Sequence, residues 1–205
     1  MTGDPVATFA SAARTFAGLV REIPAAKWDG PGLGDWDLRS LVGHTSRSLT
    51  TVSTYLQTTA DRADIASPQA YYVYARDYAS QAGQAAIVER GRQAGRDLGA
   101  DPVAAIDELV EQVGNQLTGT ADRLIQVIGG RGMRLYGYLP TRIFELAVHA
   151  LDIARATGLA LQLPVDVLDE SLTLAARVAV ALGEGDTVLL SLTGRLALPA
   201  SFSVV

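Results

Sequence analysis

The 205-residue sequence predicts an all-α protein, most simply a bundle of four long helices with a short C-terminal helical extension. Three observations carry that expectation. Apolar residues recur at three- and four-residue spacing along most of the chain, which is the period of an amphipathic helix. Cap residues followed by proline, Ser67-Pro68 and Asp101-Pro102, mark helix starts. Apolar residues make up 48% of the chain, enough for a sizeable core, yet no run of roughly 18 uninterrupted apolar residues is long enough to cross a membrane.

The elements follow in order. A first helix is expected over about Pro5 to Arg21, with Val6, Phe9, Ala13, Phe16, Leu19 and Val20 on one side. The prolines and glycines of "IPAAKWDGPGLGDW" then make a loop. Asp37 is the N-cap of a second helix, which carries Leu38, Leu41, Val42, Thr45, Leu49 and Val52 and ends near Thr58. From Ser67-Pro68 a third runs to about Leu98, and from Asp101-Pro102 a fourth carries Ala105, Leu109, Val113, Leu117, Leu124 and Val127 as far as "GGRGM". Leu139-Pro140-Thr141 opens the next, which Gly158 stops, and Pro164 begins another. Asp186 to Leu192 reads either as a strand or as a short helix between an Asp186 cap and Gly194, and the tail "LPASFSVV" reads as extended.

Composition excludes several functions. A net charge of −5 and scattered arginines leave no basic footprint for nucleic acid, and "ERGRQAGR" reads as a solvated helix face. The absence of cysteine excludes disulfides, thiolate ligands and a cysteine nucleophile. The N-terminal segment has no basic stretch followed by a long apolar block, so a cytoplasmic protein with no membrane contact is expected. "GGRGM" lacks the ending of a phosphate-binding loop, no dinucleotide fingerprint is present, and Ser40 and Ser46 near His44 lie in no G-x-S-x-G turn. The "VAVAL" run in the last long helix is a candidate contact for a homodimer, with intramolecular packing as the other use.

The chain has two histidines, His44 and His149. His149 stands four residues after Glu145, so the two lie about 40° apart, one turn apart on one helix face, at the edge of the stripe of Leu146, Ala150 and Ile153. His44 sits at the edge of the apolar stripe of its own helix. Either these are structural histidines with an incidental glutamate, or they are three ligands on two helices. That both fall at inward edges brings the metal reading level with the structural one: two imidazoles and a carboxylate with open positions form a common catalytic zinc set, and suit non-haem iron or nickel as well. Asp152 is placed either to accept the second imidazole N–H or as a surface aspartate, the reading that geometry within one helix favours. Arg142, one turn before Glu145, pairs either with a substrate carboxylate or with Glu145 itself.

Three stretches, "W…GPGLGDWDLRSLVGH", the R-x-x-E-x-x-x-H-x-x-D pattern of Arg142, Glu145, His149 and Asp152, and "LTGRLALPASFSVV", resemble the mycothiol-dependent maleylpyruvate isomerase family, within the DinB/YfiT-like metal-binding bundles. The resemblance implies an up-down-down-up bundle over 1–160 with a helical extension, 161–205, packed on it as one unit. It implies a divalent metal, zinc first, held by His44, Glu145 and His149, and a small cofactor thiol such as mycothiol. The function it implies is a thiol-dependent isomerase or transferase acting on a small electrophile. Arg76 and Arg142 are the candidates for binding that cofactor or substrate. Two other readings stand beside it: a metal- or ligand-binding bundle without turnover, and a zinc hydrolase.

Overall fold

The computed structural model describes residues 3–205, apart from the side chains of Ala82 and Gln84; residues 1 and 2, which fall in the expected bundle range, lie outside the described residues. Helix α1 (Pro5–Arg21) starts where Asp4 accepts the Val6 amide at 3.0 Å and Pro5 occupies a first-turn position that needs no amide. The loop after it folds back on the start of α2 (Leu38–Tyr55), with the amides of Leu38 and Arg39 donating to the carbonyls of Gly30 and Trp28. Asp37 caps α2 as expected, accepting the Ser40 amide at 2.7 Å.

Between Ser67 and Leu98 the structure has two helices where the periodicity predicts one. They are α3 (Pro68–Ala82) and α4 (Gln84–Asp97), broken at Gly83, whose φ of 80° no right-handed helix can contain. Helix α5 (Pro102–Leu117) is also shorter than expected. The chain turns at Gly119, and Leu124–Gln126 forms strand β1 of a small antiparallel hairpin with β2 (Gly132–Arg134). Ile125 pairs with Met133 and both are buried, while Ile65 bridges Met133 from the other side. The apolar spacing of Leu117, Leu124 and Val127 imitates a helix, but burial in the hairpin decides the conformation.

Helix α6 (Leu135–Thr157) starts before the expected Leu139-Pro140-Thr141 signal and contains Pro140. Its cap is remote: the Asp122 carboxylate, from the loop before β1, accepts the Tyr136 amide at 3.0 Å. Pro140 therefore removes one intrahelical donor without ending the helix. Gly158 stops α6 in the left-handed region, as its position predicts. Helices α7 (Val165–Ala181) and α8 (Gly185–Leu192) complete the chain, so the ambiguous Asp186 segment is a helix, with Glu184 rather than Asp186 at its cap.

Four helices form a closed ring: α1 packs on α5 and α6, and α2 packs on the same two. This is the predicted all-α bundle. Helix α7 lies on α6, α3 and α1, and α4 covers the outer side of α2. The α2–α4 seam is a close approach of two helix backbones. A Cβ on Gly43 would overlap the Gly95 backbone, and one on Gly95 would press on the Arg39 carbonyl. Only glycines permit this spacing, and the residue next to Gly43 is His44.

Candidate metal centre

Packing of α2 against α6 brings together the three side chains that the sequence singles out. One possible ligand atom from each of His44, Glu145 and His149 lies within 4.8 Å of the others. His149 Nε2 and Glu145 Oε2 are 3.4 Å apart. Two tetrahedral ligands at about 2.0–2.2 Å from one ion stand roughly 3.3–3.6 Å from each other, so this pair already has the spacing of a shared ligand edge. The His44 and His149 rings meet edge to face with centroids 5.0 Å apart. His44 Nδ1 is buried and has no hydrogen-bond partner among the described residues. A polar atom left in that state costs about 1–3 kcal/mol unless something else satisfies it.

Each candidate ligand is held from behind. Asp152 Oδ2 lies 3.1 Å from His149 Nδ1, so the paired role is the correct one and the surface role is not. This contact fixes the ring and leaves Nε2 turned toward Glu145. Glu145 Oε1 accepts from the Tyr72 hydroxyl at 2.8 Å. His44 stacks on Trp36, with centroids 4.4 Å apart, and the Trp36 indole N–H donates to the Val88 carbonyl of α4 at 2.9 Å. Gly91 on α4 makes room for that indole, since a Cβ there would overlap the Trp36 ring.

The electrostatics set the three groups apart. Burial and the neighbouring His149 charge push His44 down to about 4, so it is neutral at pH 7. Burial works against the charge of Glu145, but the hydrogen bond from His149 and the Arg142 charge outweigh it and hold the carboxyl at about 2. Burial likewise opposes the charge of His149, and the contacts with Asp152 and Glu145 outweigh it, raising the imidazole to about 9. In the metal-free chain a proton on His149 thus stands where a cation would neutralise Glu145.

His44 and Glu145 open into a cavity of about 410 Å³. Four arginines line it, Arg47, Arg76, Arg90 and Arg142, with Glu145 as the one carboxylate side chain among the lining residues. Both sequence candidates for ligand binding are therefore present: Arg76 at the exposed rim and Arg142 deeper. Arg142 does not form an ion pair with Glu145 among the described residues. Its Nε donates to Thr141 Oγ1 at 3.0 Å, and its guanidinium lies over the rings of Tyr138 (5.0 Å) and Tyr71 (5.4 Å). The sequence reading missed Tyr55, Tyr71, Tyr72 and Tyr138 in the wall. Their signal was present: tyrosine is the commonest aromatic of a chain poor in aromatics, and "YYVY" concentrates it on α3.

The helical bundle thus carries one imidazole on its second helix and a glutamate and a second imidazole one turn apart on α6. The chain belongs to the mycothiol maleylpyruvate isomerase N-terminal domain family, whose model matches residues 9–154. The match spans α1 to most of α6 and contains all three clustered residues. No curated protein and no solved structure matches the chain.

Proposed function

We propose that the chain is a metal-dependent enzyme that uses a low-molecular-weight thiol, such as mycothiol, to isomerise or conjugate a small electrophilic substrate. The observation that carries this reading is the convergence of His44, Glu145 and His149 at a cavity of about 410 Å³ in a chain without cysteine. The donor set fits a divalent cation of borderline softness, zinc first: two imidazoles, one carboxylate, an unpartnered buried nitrogen on His44 and a carboxylate–imidazole edge of 3.4 Å. A cation held there would keep a thiol ionised at neutral pH and so supply the nucleophile that the chain itself lacks.

The chain's own residues do the rest. His44, Glu145 and His149 would hold the cation, with His44 and Glu145 facing the cavity. Arg47, Arg76, Arg90 and Arg142 attract and orient an anionic substrate, with Arg142 packed over the adjoining rings of Tyr71 and Tyr138. The tyrosines exclude water from the reacting centre, and burial raises Tyr55, Tyr72 and Tyr138, so their hydroxyls stay neutral donors. Tyr72 fixes one carboxylate oxygen of Glu145 and leaves the other free to bind. Tyr72→Phe is expected to weaken metal binding about 10- to 100-fold with little change in melting temperature, as measured by chelator competition beside a thermal scan.

The deciding assay follows maleylpyruvate isomerisation, and conjugation of a chromogenic electrophile, with zinc-loaded protein in the presence and absence of mycothiol. Turnover is expected only with both metal and thiol, and it disappears on chelation. Turnover with metal alone would make the protein a hydrolase. Stoichiometric metal without turnover under any condition would make it a binding bundle.

A further inference from the structure

We propose that the outer face of α7 and α8 pairs with the same face of a second copy of this chain, related by a two-fold axis that passes between the two copies of α7, level with its middle. The inner face of α7, with Val167, Leu174 and Val178, is buried against the bundle. Its outer face is also apolar. Leu168, Leu172, Ala176 and Val180 follow one another at four-residue spacing and form a single exposed ridge, with Leu172 61% and Val180 69% accessible. Ridges of this spacing interdigitate with their own kind, the helix axes crossing at about 50°.

The face is complementary to itself when turned end for end. At the C-terminal end of α7 the ridge borders a groove of about 480 Å³, walled by Ala176, Val180, Val188, Leu189 and Leu192. At the N-terminal end stand two knobs, Leu168 and Val165, the latter 83% accessible. An antiparallel α7 pair centred between Leu172 and Ala176 sets Leu168 opposite Val180 of the second copy, so each copy's knobs enter the other's groove. The charges agree with the same axis. Asp169 and Arg177 lie on one flank of the ridge, both exposed and without an ion-pair partner among the described residues. Their midpoint falls within one residue of the centre of the ridge, so each Asp169 faces the other copy's Arg177, and the contact is made twice.

The area suffices. The exposed side chains of Val165, Leu168, Leu172, Val180, Leu189 and Leu192 offer about 100 Å² each, and with the polar rim this approaches the roughly 800 Å² per partner of an ordinary stable interface. The face lies on α7 and α8, beyond the matched 9–154 segment, and uses none of the cavity residues, so the pairing stands or falls independently of the proposed chemistry.

Sedimentation of the zinc-loaded chain tests this at concentrations up to about 100 μM, well above a micromolar dissociation constant. The wild-type chain sediments as a dimer. Leu172→Lys sediments as a monomer with unchanged helicity and metal content. Asp169→Arg and Arg177→Asp each weaken association about tenfold by setting like charges face to face, and the double variant recovers it. A monomeric wild type, a dimeric Leu172→Lys, or a double variant no tighter than the singles would overturn the proposal.

Discussion

His149→Ala is expected to lower bound zinc from about one equivalent per chain to near none under conditions that saturate the wild type. Structural zinc sites bind with about 10–16 kcal/mol, so one protein ligand in three carries roughly 3–5 kcal/mol, equivalent to a hundredfold or more in affinity. The fold survives the change. His149 is half-buried, its polar contacts are with Glu145 and Asp152 of its own helix, and its ring meets His44 of α2 edge to face. The Tyr72 hydrogen bond and the nearby Arg142 charge remain, so the carboxylate is not left bare. Elemental analysis after gel filtration, beside circular dichroism, reads both quantities. A variant that keeps stoichiometric zinc would remove His149 from the site.

Metal affinity is also expected to rise about tenfold per pH unit from about pH 5 to 9 and to level off above that. The sign follows from the metal-free ionisation states. His149, raised to about 9, carries a proton that must leave before Nε2 can bind, whereas His44 near 4 and Glu145 near 2 are already in their binding forms. One group therefore titrates across the window, and lowering the pH returns the competing proton. Between pH 8 and pH 6 the loss is about a hundredfold. Calorimetry in buffers of different protonation enthalpy should count one proton released per ion at pH 7. A flat profile, or a release of two protons, would contradict the assignment of the charged imidazole to His149.

The parts of this molecule that were legible in advance are those whose cause is local. Asp37, Ser67 and Asp101 cap the helices they precede, because a cap acts within three residues of itself. Glu145 and His149 could be paired from helical spacing alone, and His44 from its edge position. What was misread depends on distant partners. The Asp122 contact that caps α6 cannot be seen from Leu135, and the Leu124–Gln126 strand exists because Ile65 covers Met133. Gly83 lay in view, yet a lone glycine in a helical pattern is usually tolerated rather than a break. The site's tyrosines and Arg47 escaped for a further reason: no spacing rule says which residues of α2, α3 and α6 will face one another across a cavity.

The glycine contact between α2 and α4 reaches further than packing. His44 follows Gly43 directly, and Trp36, on which His44 stacks, is hung from Val88 and slotted over Gly91. The imidazole is thus located by a hard stop at its back rather than by anything in the chamber it serves. Adding a single methyl group to that hidden joint would force the two helix backbones apart and carry the ligand with them, enough to detune its reach. Drift at residues that never meet solvent or substrate can therefore change what this pocket holds.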